Sequence, residues 1–435
     1  MTGRARACGA ALLAVAALVL SGCGDDGGDG GGGGEVDTSG PLEGRGPIKF
    51  ATGKDTSGNM DKLIAEWNEA HPDEKATIVE LPESADEQRS QMVQNAEAGD
   101  SEYTVLNLDV VWTAEFAANR WVMQLPEDEF DFENFLEPAV DTARYRDNLY
   151  AAPIYSDGGL LYYRKDLLDA AGVAAPATWD EMLAACATVK AQPANAALGC
   201  YAGQFDKYEG LTVNFSEAVQ SAGGSILDDS GKPTVNTEEA KEGLRFLADG
   251  VKNQNIPAAA VTYQEEEGRR AFQDGQLIFH RQWPYQYALA NATDGSSQVA
   301  GKFGIAPLPG KDGPGVSTLG GHNFAISAFG ENKATALDFI KFFASEEAQE
   351  SNLLATSQAP TRTALYEDAE LLAQFPYLTT LKESILTAVP RPQAVAYGDV
   401  TVAMQEAAYG AMNGDASVDE ALAELQTKLE ELTAE

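Results

Sequence analysis

From Pro47 onward the chain alternates short stretches that are apolar at every second position with longer stretches carrying an apolar stripe at helical spacing. Residues 48–51 read as a strand. Ser57 then opens a helix with Met60, Leu63, Ile64 and Trp67 on one face, ending before Pro72. Residues 76–81 read as a second strand, 88–98 as a second helix and 105–108 as a third strand. This order implies parallel pairing and an α/β sheet. The same grammar resumes later. Thr178-Trp-Asp-Glu181 is a capping box opening a helix that carries Met182, Leu183, Cys186 and Val189. Asn236-Thr-Glu-Glu239 opens another, with Ala240, Leu244, Leu247 and Val251 inward. Residues 303–307 and 324–327 look like strands and 333–344 like a helix. Ser417-Val-Asp-Glu420 caps a last helix whose Leu422, Leu425, Leu429 and Leu432 form a docking stripe. Two α/β lobes fit 435 residues better than one. Open α/β sheets bind ligands at the carboxyl ends of their strands, so two facing lobes create a cleft.

The first 46 residues break this rhythm. Arg4 and Arg6 precede an unbroken apolar run over 10–20, the length of a signal-peptide core and too short to span a bilayer. Leu20-Ser-Gly-Cys23 resembles the bacterial lipobox, in which cleavage before the cysteine leaves its sulfur carrying a lipid. Residues 1–22 are therefore expected to be removed as a lipoprotein signal peptide. Residues 23–46 are expected to form an acidic, Gly-rich tether, since eleven of the residues 24–46 are glycine and six are acidic. The protein then works outside the cytoplasmic membrane, attached through its lipid alone. Cys8 leaves with the signal and Cys23 is acylated, so Cys186 and Cys200 remain to form a disulfide in an oxidising compartment. A loop of about 15 residues closed in this way is worth ~3 kcal/mol.

The net charge of −37 repels phosphate backbones and anionic lipid surfaces, which excludes nucleic acid as a partner. His71, His280 and His322 show no metal-ligand spacing to the cysteines or to each other, and no cofactor motif is present. No nucleophile-elbow Gly-x-Ser-x-Gly and no His-Glu-x-x-His occurs. The chemistry that stands out is aromatic and polar residues at strand ends. Leu106-Asn-Leu-Asp109-Val-Val-Trp112, Tyr155-Ser-Asp157-Gly-Gly, Trp283-Pro-Tyr285, Gly320-Gly-His322-Asn323 and Pro390-Arg391-Pro392 all sit at such junctions. Carboxylates and guanidinium groups take paired sugar hydroxyls, while flat aromatic faces cover the C–H faces of the ring. The mixture favours a carbohydrate cleft.

Asp109-Val-Val-Trp112-Thr-Ala-Glu-Phe-Ala, together with the lipobox and acidic leash, resembles the solute-binding lipoproteins of ABC sugar importers. So do Ala152-Pro-Ile-Tyr155-Ser-Asp157-Gly-Gly-Leu-Leu-Tyr162-Tyr-Arg-Lys165, Pro176-Ala-Thr-Trp179-Asp-Glu, Glu265-Glu-Glu-Gly-Arg-Arg-Ala-Phe272 and Leu319-Gly-Gly321-His-Asn-Phe-Ala-Ile-Ser327. The first run is similar to the trehalose/maltose-binding branch in particular. This resemblance implies the two-lobed periplasmic-binding-protein fold, a monomer that catalyses nothing, and a disaccharide handed to ABC permease subunits. It divides the chain into 47–153 plus 278–329 as one lobe and 154–277 plus 330–435 as the other, with crossings near 153–156, 277–281 and 329–333. Carried over residue by residue, it puts an acidic sugar ligand at Asp55 and an Arg89/Asp109 pair around one glucosyl unit. Tyr155 and Asp157 fall on the first crossing, Trp283 offers a stacking face, Gly321 a backbone amide, and Arg391 and Tyr397 late contacts. His322 stands where the branch commonly has Trp. The alternatives are the same fold holding a longer oligosaccharide or a sugar alcohol, and a secreted glycoside hydrolase, whose carboxylate pair cannot be singled out among 67 acids.

Overall fold

The computed structural model describes residues 37–433 apart from Thr56 and Asp229. The expected signal segment 1–22 and residues 23–36 of the tether lie outside the described residues. The tether's last ten residues are not loose. Gln124 N donates to Thr38 O at 2.8 Å and Ala334 N to Gly44 O at 3.2 Å, and Arg45 pairs with Glu74 and Asp338.

Among the described residues nine strands form the two larger sheets, apart from a small hairpin at 144–149: β1 Ile48–Gly53, β2 Ala76–Leu81, β3 Val105–Asp109, β4 Ala151–Asp157, β5 Leu160–Tyr163, β6 Gly199–Ala202, β7 Leu277–Gln282, β8 Gly304–Ala306 and β9 Gly320–Ile326. The helices that matter here are α1 Asn59–Ala70, α2 Ala85–Glu97, α3 Trp179–Lys190, α4 Glu209–Ser221, α5 Glu238–Lys252, α6 Lys333–Phe343, α7 Glu346–Thr356, α8 Tyr397–Asn413 and α9 Val418–Leu432. The first sheet runs β2-β1-β3-β9-β4, with β1 parallel to β2 and β3, and β9 antiparallel to β3 and β4. The second runs β8-β5-β7-β6. The first lobe closes on aromatics: Phe50 lies 4.6 Å from Phe324 and 5.5 Å from Phe339, and the Trp67 ring meets Phe339 edge-on.

Local signals set the helix starts. Thr178 and Ser417 form complete capping boxes, and Thr237 caps α5 through Ala240 N. The expected start of α1 at Ser57 moves to Gly58, which adopts a φ of 75° that glycine takes readily and has no side chain to cap with. Cys186 of α3 and Cys200 of β6 are joined by a disulfide, tying a helix to the edge strand of the second sheet.

The expected crossings shift. Tyr155 and Asp157 still belong to β4, so the chain leaves the first lobe between Asp157 and Leu160. Leu277–Gln282 does not cross. It forms β7 between β5 and β6, and the chain stays in the second lobe through β8. The return lies before Gly320. The expected third crossing at 329–333 is also displaced: α6 packs on β9, α7 packs on α1, and Pro360 still bridges Tyr155. The chain reaches the second lobe again only after Arg362, where α8 packs on α4 and α5.

Candidate ligand-binding cleft

The carboxyl ends of β3 and β4 and the first residues of β9 bring Asp109, Tyr155, Asp157 and His322 to one edge of the first sheet. His322 sits opposite both Asp109 and Tyr155, and its ring stacks on Tyr155 with centroids 4.9 Å apart. This requires Gly321 to be glycine. Its φ is 114°, and a Cβ there would lie 2.3 Å from the Tyr155 carbonyl oxygen. Burial pushes the His322 imidazole down to about 4, with Asp109 opposing, so the ring is neutral near pH 7. Its buried Nδ1 has no partner.

The second lobe answers from the end of β7, the start of α4, the loop around Arg391 and the first turns of α8. Arg391, 3% exposed, reaches across and donates from Nη2 to Asp109 Oδ1 at 2.5 Å and from Nη1 to Oδ2 at 3.1 Å. Asp109 also accepts from Val111 N, so the strand end is capped and ion-paired at once. On its own lobe Arg391 donates to Glu209 at 2.6 Å. Tyr397 and Thr401 donate to the same Glu209 carboxylate. Burial raises the Glu209 carboxyl, and Arg391 pulls it back. Gln405 Nε2 donates to Asp86 Oδ2 at 3.3 Å, a second bond between lobes. The lobes are closed.

Asp157 is different. Among the described residues no donor reaches its carboxylate. Burial pushes it up to about 7, with Arg281 opposing and Asp109 adding to the rise. Trp283 stands beside it: a Cβ on Gly320 would lie 2.8 Å from the indole and 3.3 Å from the Asp157 Cβ. The Arg281 guanidinium covers the Trp283 ring at 3.8 Å.

Two of the expected sugar ligands are engaged with other groups. Arg89 and Asp109, expected to hold one glucosyl unit together, are not bonded to each other. Arg89 binds Glu115 in a two-pronged contact, at 2.8 Å from Nε and 2.5 Å from Nη2, because the helix after β3 carries Glu115 back toward α2 while Asp109 is taken by Arg391. Asp55 is exposed, and its carboxylate is spent on Ser57 N, Ser57 Oγ and Met60 N, capping the turn into α1. Sequence reasoning missed Glu209, Glu115, Glu217 and Arg281. An acid opening a helix, as Glu209 does, is too common a pattern to mark a site, and Arg281 lies in a strand whose six residues are all buried.

A two-lobed binding protein with a polar, aromatic-walled cleft is the class that this fold and site define. The chain belongs to the family of bacterial extracellular solute-binding proteins, whose model matches residues 52–350. A probable ABC transporter-binding protein of Deinococcus radiodurans is 33% identical over 81% of this chain and 85% of its own. The mannitol-binding protein of Pseudomonas aeruginosa is 25% identical over 75% of this chain and 76% of its own. Among solved structures, maltose-bound MalE3 of T. maritima superposes with a TM-score of 0.84 at 33% identity, over 89% of this chain and 99% of that one.

Proposed function

We propose that this protein is the sugar receptor of an ABC importer, a monomer anchored through a lipid on Cys23, which binds a trehalose- or maltose-like disaccharide between its lobes and hands it to the permease without transforming it. The observation that carries the reading is Asp157, a half-buried carboxylate that no donor among the described residues reaches, close to the Trp283 indole. Sugar hydroxyls supply the missing donors and the indole covers a C–H face of the ring. Asp109 and Arg391 take further hydroxyls by exchanging their mutual ion pair for bonds to the ligand, and Tyr155 and His322 line the same edge. The similarity to the maltose-bound structure supports a disaccharide.

A second reading, a sugar alcohol, also has an observation in its favour. With Asp109 and Arg391 in direct contact, Asp157 is left as an unpaired carboxylate of the cleft among the described residues, and one relative is named for mannitol. Calorimetry of the purified protein against trehalose, maltose, longer maltooligosaccharides and mannitol decides between them. Micromolar or tighter binding of a disaccharide with no response to mannitol supports the first reading. Tight mannitol binding alone replaces it, and no response to any of the four refutes both. Mass spectrometry of the membrane-extracted protein tests the diacylglycerol on Cys23.

A further inference from the structure

Arg281 and Glu217 form an ion pair inside the second lobe, 0% and 5% exposed, with Nε donating to Oε2 at 2.7 Å and Nη2 to Oε1 at 2.5 Å. Nη1 donates to Gln204 Oε1 at 3.1 Å. Burying two charges is costly, and a buried pair is weak evidence of a stabilising role. Its position suggests another role. Both segments that pass between the lobes near it, 157–160 and 317–320, lie against the pair. A Cβ on Gly159 would fall 2.7 Å from Glu217 Oε1 and 2.9 Å from Arg281 Nη2. Thr318 N donates to Glu217 Oε1 at 3.2 Å, and Gly159 N donates to Ser317 Oγ at 2.6 Å, linking one passage to the other. The outer face of the same guanidinium carries the Trp283 ring at 3.8 Å.

We infer that Arg281 and Glu217 are positioning residues that couple the aromatic wall of the cleft to the two passages on which the lobes turn. The pair fixes the plane on which Trp283 rests, and the carboxylate fixes the amide of Thr318, so the wall and the hinge keep one geometry. Residue 159 is glycine here because the pair occupies the space that a side chain would need, whereas a Cβ at 158 would meet Ser384 Oγ at 2.6 Å. The inference rests on the sugar-receptor reading for its ligand half, and its hinge half stands without a ligand.

Two variants separate the halves. Replacing the pair with apolar residues of similar length, Glu217→Leu with Arg281→Met, avoids stranding one buried charge. Its ligand-free form is expected to melt as a folded protein and to exchange the Thr318 amide about ten-fold faster, with the amides of Ile48–Gly53 unchanged. Its affinity for trehalose or maltose, whichever the wild type binds, is expected to fall about ten-fold. Arg281→Lys keeps the charge for Glu217 but removes the plane under Trp283, so it should lose affinity while Thr318 exchange stays at the wild-type rate. Wild-type exchange and affinity in the folded double variant, or wild-type affinity in Arg281→Lys, overturns the inference. Should the double variant not fold, Arg281→Lys and Glu217→Gln carry the same two measurements. A wild type that binds none of these sugars removes the proposed ligand, and the exchange of Thr318 alone then decides the hinge role.

Discussion

Asp157 and His322 face the same cleft edge with opposite proton balances. Asp157 is raised from its ordinary 3.8 to about 7, so the folded protein keeps a proton that the unfolded chain has released. Its contribution to stability is full below pH ~4 and lost as pH rises through about 7. His322 is lowered from 6.5 to about 4; its contribution is full above pH ~6.5 and lost as pH falls through about 4. Asp157→Asn should therefore raise the melting temperature of the ligand-free protein by a few degrees at pH 8 and leave it unchanged at pH 3. The same change should weaken sugar binding by roughly 10- to 100-fold, the worth of hydrogen bonds to a charged group, as calorimetry at pH 8 reads it. His322→Asn should flatten the loss of stability between pH 6.5 and 4, read from melting curves across that range. Neither group's partner balance was legible in the sequence. The strand-end placement of Asp109, Tyr155 and Asp157 was legible, because a polar residue closing an apolar run must emerge at the sheet edge.

At the scale of elements, structure encoded by neighbouring residues is legible in the sequence and structure that depends on distant partners is not. The capping boxes at Thr178 and Ser417 span three residues and announce themselves. Thr178→Ala should cost about 1 kcal/mol by urea unfolding without altering ligand affinity. Replacing Cys186 and Cys200 together by Ser should cost ~3 kcal/mol, measured the same way under non-reducing conditions. Leu277–Gln282 shows the opposite case. Every residue of this strand is buried, so its pattern fits the centre of either sheet, and only its pairing with β5 and β6 assigns it to the second lobe. The partner of Arg89 was hidden for a related reason. Arg89 is bound by Glu115 of the short helix that follows β3, and Asp109 is taken by Arg391, which lies 282 residues beyond it.

At the scale of the whole molecule, the lobes hold each other through Asp109–Arg391, Asp86–Gln405 and the close approach of Arg89 to α8. A Cβ on Gly398 would sit 2.4 Å from Arg89 Nη2, and Glu115 pins that guanidinium. Gly398→Leu should therefore wedge the lobes apart, giving a larger radius of gyration by small-angle scattering and weaker sugar binding by about ten-fold, with no loss of helix content. An unchanged radius would mean that Arg89 yields instead of the lobes. The chain enters the fold on one side only. Thr38, Gly44 and Arg45 are bonded to the first lobe, through Gln124, Ala334, Glu74 and Asp338, and none of these partners lies on the second. Any force transmitted along the chain into Asp37 is thus borne by the first lobe alone. If the second lobe opens and closes as proposed, it does no work against that load.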